Sequence, residues 1–177
     1  KDRLCADIPY ERLEEIYREK TSFACTASFS SLLFYQRRSL RRGGFFMRAP
    51  LDAEADRTDL AWAVLADIAC STHEQLQHLV ELTGNEGGPI LGCGGGFQSE
   101  ALCQMLSDLS GRELRLRAGF RQATVQGLVT LCNDYLGEVP AKRDSALKTY
   151  HPRTGQLIHQ YAPAWREARD RANDIKA

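Results

Sequence analysis

Apolar residues recur at spacings of three and four along several stretches of this chain, and at a spacing of two along one. From Pro9 to Glu19, Leu13, Ile16 and Tyr17 make a single stripe, and Pro9 suits a first turn, so a short helix is predicted. Residues 21–33 are rich in Ser, Thr and Ala and only weakly periodic; they predict a loop followed by a strand over Ser31–Tyr35. Gln36 to Gly44 is a basic loop ending in a glycine turn, and Phe45-Phe46-Met47 is a short apolar strand. The longest stripe runs through Leu60, Ala61, Val64, Leu65, Ile68, Ala69, Leu76, Leu79 and Val80. It predicts a helix over 58–83, capped by Asp56, Thr58 or Asp59 and ended by Gly84. Glu74, Gln75, Gln77 and Glu81 fall on its wet face.

Residues 89–137 alternate between two periods. Pro89 to Cys93 reads as a buried strand, Gly94-Gly95-Gly96 as a turn, and Ser99 as the cap of a helix that Gly111 ends. Leu102, Met105, Leu106 and Leu109 line the inner side of that helix. Leu114 and Leu116 alternate with charged residues over Glu113–Arg117, a half-exposed strand. A helix over Gln122–Leu136 follows, with Val125, Leu128, Val129, Cys132 and Tyr135 expected inward and Gly137 as terminator. Strand, helix, strand, helix is an α/β layer. After a charged linker at 139–145, Tyr150-His151-Pro152 is an extended break. Leu157, Ile158, Tyr161 and Trp165 share one face of a final helix.

Composition narrows the function. The 177 residues are 43% hydrophobic, and 23 basic residues balance 23 acidic ones. A chain of this size and content can bury one core. Its zero net charge does not call for nucleic acid or a membrane surface, and no apolar run reaches the roughly 18 residues that a membrane span requires. The start has neither Met nor a secretory signal, so the chain is expected to begin inside a longer gene product and to be cytoplasmic. The six cysteines contain no C-x-x-C pair; Cys70, Cys93, Cys103 and Cys132 sit among apolar neighbours and read as buried free thiols. A zinc or redox thiol site is the lesser reading. His73 and His78 are five apart, not the four of H-E-x-x-H, and read as surface histidines. No G-x-S-x-G is present.

The triple glycine is the informative feature. Glycine lets the backbone take positive φ and lets a flat ligand approach closely. A helix start behind it offers unpaired N–H groups and a positive dipole end. Together these suit a purine nucleotide, although the loop is neither G-x-G-x-x-G nor a P-loop.

Ile90 to Ser99 resembles the adenosine motif of the FGGY carbohydrate kinases, a strand that runs into G-G-G-S-x-N or a close variant. In register, Ala101 to Gly111 resembles the family's "leucine, x, Gln, x, x, Ala-Asp, x, x, Gly". Gln122-Ala123-Thr124-Val125-Gln126-Gly127 resembles its "Glu-Ala-Thr-Ala-Leu-Gly". The likeness is good over about 45–165, which includes the long helix and the tail from Tyr150 to Trp165. It is thin before residue 45, where Phe34 to Arg38 stands for a "proline-tyrosine-leucine-x-glycine-x-arginine" segment.

The resemblance implies an α/β fold, part of a ribonuclease H-like lobe of the actin-like ATPase architecture and rich in helix, in one domain with its core at 45–137 and a tail helix. It implies the C-terminal lobe of a kinase that uses ATP and Mg to phosphorylate a small sugar or polyol. Gly94, Gly95 and Gly96 would form the nucleotide loop, Gly95 and Gly96 beside adenine and ribose, Ser99 facing the base edge and Gln98 next to it. Gln122, Thr124 and Gly127 are expected to start a helix and pack it against that loop.

Departures are clear. Phe97 replaces a small polar residue, Gln122 an acid and Gln126 an apolar residue. Asp67 stands where the family often has Glu-Gly, and Ile68 breaks that pair. The basic run Arg37–Arg42 reads as a solvated loop; the resemblance offers Arg38 as a tie to the long helix or between lobes. The run Trp165–Arg171 reads as a wet helix face. The family's phosphate hairpin, "aspartate-x-glycine-threonine", and its catalytic aspartate have no counterpart here, so the chain alone is expected to be inactive, with no catalytic or metal-binding residue of its own. The sugar would be held through the missing N-terminal lobe. The competing reading is a stand-alone, non-catalytic kinase-lobe remnant. Its uncovered apolar face would meet a partner or a second copy as a homodimer.

Overall fold

The computed structural model describes residues 4–29, 43–47, 55–138 and 146–174. The expected strand Ser31–Tyr35, the basic run 36–42 with Arg38, and the linker 139–145 lie outside the described residues.

Helix α1 (Tyr10–Glu19) leads into strand β1 (Cys25–Ser28), which pairs antiparallel with β2 (Gly44–Met47) in the register Cys25 to Met47. Helix α2 (Arg57–Thr83) follows. Its start is a capping box: the Asp56 carboxylate accepts from the Thr58 and Asp59 N–H groups, and Asp59 accepts from the Asp56 N–H in return. Its end is Gly84 at φ 65°, where the left-handed backbone favours glycine. Strand β3 (Ile90–Gly92), helix α3 (Glu100–Ser110) and strand β4 (Leu114–Arg117) form the first α/β unit, with β3 and β4 parallel. Helix α4 (Ala123–Leu136) comes next. Strand β5 (Ala146–Tyr150) then pairs antiparallel with β4, Tyr150 opposite Leu114, before helix α5 (Leu157–Asp174). Sequence patterning did not announce β5: its residues are mixed, and the pairing with β4 makes the strand.

The core lies between helices α2, α3 and α5, strand β1 of the two-stranded sheet and the inner face of a separate three-stranded sheet ordered β3-β4-β5. Leu114, Leu116 and Tyr150 supply the sheet side. Trp62, Tyr161 and Trp165 are almost wholly buried, and the Tyr161 ring meets Trp62 and Phe23 edge-on at 5.1 and 5.2 Å. Two polar ties run through this apolar mass. The Tyr161 hydroxyl accepts from the Ala27 N–H at 2.9 Å and donates to the Ala63 carbonyl at 3.0 Å. Asp67, 1% exposed, accepts from the Phe29 N–H at 3.1 Å and from the Trp165 indole N–H at 2.6 Å. Each tie joins β1 or its end to α2 and α5, and both are satisfied within the interior as buried polar groups require.

Several expectations are corrected. Val125, Leu128, Val129, Cys132 and Tyr135 do not point inward; all are exposed, and α4 buries no residue. Cys93 and Cys132 are exposed, whereas Cys5 and Cys25 are buried with Cys70 and Cys103; all six thiols are free. His73 is buried, not superficial. Glu74 is half-buried and holds Arg169, while Leu79, placed on the buried stripe by periodicity, is exposed where α2 runs past the core. Arg169 is 5% exposed rather than on a wet face, its guanidinium 4.7 Å from the Trp165 ring centre.

Candidate functional site

The glycine loop leaves β3 at the carboxyl end of a parallel strand, a common seat for ligands in α/β sheets. Gly92 closes the strand under crowding: a Cβ there would meet the Leu116 and Phe97 side chains at 2.7 and 2.8 Å. The Phe97 ring therefore lies inward, half-buried against the core, with its backbone on the loop. Cys103 Sγ donates to the Phe97 carbonyl at 3.4 Å and holds that backbone from below. Gly94 has φ 100° and ψ 170°, a conformation that side chains rarely adopt, and its N–H donates to the Phe120 carbonyl at 2.7 Å. Gly95–Gln98 then make one 3-10 turn.

Gly95 and Gly96 differ from Gly94. Both are exposed, neither has positive φ, and a Cβ on either would meet nothing nearer than 3.7 Å within the chain. The fold alone does not require glycine at these two positions. A surface that must let a flat group lie against backbone does.

Ser99 caps α3, its hydroxyl accepting from the Leu102 N–H at 3.1 Å. An accepting hydroxyl retains its own hydrogen for a further acceptor. Gln98 is exposed beside it. The expectation that the α3 start presents unpaired N–H groups is corrected. Leu102 is bound by Ser99, and the Ala101 N–H donates to the Glu14 carboxylate at 2.8 Å. Glu14 also places an acid where a phosphate at that helix end would lie, so the α3 start is not an anion site. Pattern reading could not find Glu14, because the contact joins residues 87 apart in sequence.

The five loop residues Gly94, Gly95, Gly96, Gln98 and Ser99 lie on one short segment between β3 and α3. Gln122, Thr124 and Gly127 are exposed and do not pack α4 on the loop. Gln126 does: its side-chain amide fills the space over Gly119, next to the Phe120 carbonyl that binds Gly94. The motif residues Gln104 and Asp108 serve the tail. The Gln104 amide donates to Asp108 and to the His151 carbonyl, both at 2.8 Å, and Asp108 accepts from the Arg153 N–H at 2.8 Å and its guanidinium at 2.9 Å. A separate cleft of about 350 Å³ lies between α1, α3 and β5, with Trp62 and Met105 in its wall and Lys20, Lys148 and Arg153 at its rim. Those three cations are paired with Asp59, Glu100 and Asp108.

Burial makes the interior thiols unreactive. Desolvation pushes Cys25 up to about 11, helped by Asp59, and Cys103 up to about 12. Among the described residues no group of three or more His, Cys, Asp or Glu side chains can hold a metal ion, and no helix is long and apolar enough to cross a membrane.

Residues 14–133 match the model of the FGGY family of carbohydrate kinases, C-terminal domain. The chain is 32% identical over 160 residues to the protein named "Putative sugar kinase YoaC" of Bacillus subtilis (strain 168), a match that takes in 89% of this chain and 33% of that one. Glycerol kinase from Plasmodium falciparum, solved with ADP, superposes with a TM-score of 0.74 at 18% identity, over 99% of this chain and 36% of that one. Gluconate kinase from Lactobacillus acidophilus gives 0.72 at 15% identity, over 97% and 36%. These kinases have the actin-like ATPase architecture, and the present chain is a helix-rich α/β part of it. It spans about a third of the length of these relatives.

Proposed function

The chain belongs to the FGGY family of carbohydrate kinases, as a C-terminal domain, and from that premise we propose that it provides the adenosine-binding loop of an ATP-dependent kinase that phosphorylates a small sugar or polyol. The observation that carries this reading is the pair Gly95 and Gly96. Their lack of side chains answers no steric or conformational demand of the fold, and it leaves a backbone shelf on which adenine and ribose can lie. Gly94 turns the chain into that shelf, Ser99 offers a hydroxyl hydrogen to the base edge, and Gln98 an amide beside it. That a glycerol kinase of the same fold was solved with ADP supports a nucleotide here. Phe97, packed inward on Gly92, leaves the shelf uncovered by its ring.

Phosphoryl transfer needs the γ-phosphate held in line, its charge neutralised by Mg, and a base near the sugar hydroxyl. The α3 start behind the glycine loop supplies no phosphate grip, being taken by Ser99 and Glu14. The division of labour follows. This chain binds and orients the nucleoside end, and the two-thirds of a kinase that it does not span brings the phosphate grip, the sugar and the base.

Calorimetric titration with ATP and ADP in Mg tests the reading. Gly96→Leu is expected to weaken nucleotide binding by about tenfold or more, roughly 1.4 kcal/mol, with unchanged thermal stability, because the site is open within the fold. Equal affinity in the variant would sink the adenosine assignment.

A further inference from the structure

The cleft between α1, α3 and β5 is a second concave surface of the chain, and none of Gly94–Ser99 lines it. Its volume of about 350 Å³ is that of a small-molecule site, which takes roughly 300–1,000 Å³. Its floor is apolar: Trp62, Met105 and Ile158 are buried, and Tyr17 is half-buried beside them. Its rim is polar and unevenly charged. Arg18, Lys20, Lys148 and Arg153 line it against two acids, Glu100 and Asp108. Access separates the two signs. The Asp108 side chain is 2% exposed and is saturated by Gln104 and by the N–H and guanidinium of Arg153. The Arg153 side chain is 54% exposed, and with Nε and Nη2 on Asp108 it keeps Nη1 for a further acceptor. Arg18 is exposed; its Nε donates to the Glu14 carbonyl at 3.3 Å, and no carboxylate among the described residues pairs with it. Lys148 pairs with Glu100, both side chains nearly half exposed, and its Nζ lies 5.2 Å from the centre of the Tyr150 ring. An ion pair so exposed contributes little, so Lys148 can turn from Glu100 to a stronger partner at small cost. Lys20 is mostly covered and stays with Asp59.

We propose that this cleft binds a small phosphate monoester, its phosphate among Arg18, Lys148 and Arg153 and its organic group on the apolar floor. Charge selects the head group. The three accessible cations come from separate parts of the chain, α1, β5 and the turn before α5, onto one cleft. A single carboxylate is satisfied by one guanidinium, whereas a phosphate dianion has the charge and the acceptor oxygens to engage all three. The first residues of α5, Leu157 and Ile158, line the same cleft, and the positive end of that helix dipole favours the same sign. The floor selects the rest of the molecule. Inorganic phosphate would leave Tyr17 and Met105 uncovered, and a flat or apolar ester group would cover them and lie near the Tyr150 ring under Lys148. The one accessible group that opposes an anion is Glu100, the partner of Lys148.

Phenyl phosphate is the probe, titrated into the full chain by calorimetry, with inorganic phosphate and benzyl alcohol as its two halves. It is expected to bind about tenfold or more tightly than either half, and less tightly as salt rises. Lys148→Glu is expected to weaken it by about tenfold or more with an unchanged thermal midpoint. Should Lys148→Glu unfold the chain, Arg18→Glu gives the same reading, since that exposed side chain holds only a backbone carbonyl. Arg153 is left in place, because its loss would strand the buried Asp108. Glu100→Gln is expected to tighten binding by about threefold, a gain that simple loss of an ion pair would not produce. Gly96→Leu is expected to leave phenyl phosphate affinity unchanged, whatever it does to ATP. Absence of binding at millimolar phenyl phosphate overturns the proposal. Affinity no greater than that of inorganic phosphate overturns it too, and reduces the cleft to a patch of surface charge. Binding that Gly96→Leu abolishes and Lys148→Glu spares also overturns it, and moves the anion to the glycine loop.

Discussion

Helices α3 and α4 are near twins in sequence style and opposites in place. Both follow a strand of the same sheet, both are rich in Leu and small residues, and both end at a glycine in the left-handed conformation. α3 buries Ala101, Leu102, Cys103, Met105 and Leu106 against α2 and the sheet; α4 buries nothing. The difference is the presence of a second layer. The α3 stripe meets α2, α5 and β4, elements that the same chain supplies, while the α4 arc has no counterpart among the described residues. A periodic apolar stripe therefore states that a helix will bury one side, not that its own chain will provide the cover.

The comparison can be broken by paired substitutions. Leu106→Ala, at 3% exposure, is expected to cost about 3 kcal/mol in a urea unfolding experiment, from lost transfer energy and the cavity left behind. Leu128→Ala, at 57% exposure, is expected to cost less than about 0.5 kcal/mol in the same chain. Equal costs would mean that α4 is packed in solution and that the contrast is false.

A smaller effect sharpens the α3 side. Ser99→Ala removes the hydroxyl that accepts from the Leu102 N–H and should destabilise the chain by about 1 kcal/mol. α4 has no side-chain cap at its start, so Gln122→Ala should leave stability unchanged in the same denaturation assay.

A pH dependence tests the packed side through its thiols. Burial raises the Cys25 thiol to about 11 and the Cys103 thiol to about 12 from an ordinary 9.0. The unfolded chain releases these protons first. Their contribution is therefore complete below pH 9 and is lost as pH rises toward 11 and 12. Thermal midpoints measured from pH 8 to 11 should fall, and Cys25→Ala should make the fall shallower. A Cys132→Ala variant should leave the slope as it was, since that thiol is exposed.

Much of this protein was legible in sequence because the signals were local. Asp56 and Gly84 bound α2, Ser99 and Gly111 bound α3, and Gly137 ends α4; each acts on backbone groups within a turn of itself. The order of Gly94–Ser99, the α3 motif and the α4 motif was readable for the same reason, and it led to the right family and architecture. Tertiary structure alone decided the rest. Strand β5 exists through its pairing with β4, and Asp67, Tyr161 and Asp108 become ties between elements 38 to 134 residues apart. Glu14 closes the α3 start from a helix 87 residues upstream, so a helix end that reads as open in sequence is occupied in the fold. The exposure of α4 was decided there too. Periodicity specifies which residues share a face, but only the set of elements that pack against a face determines whether it meets protein or water.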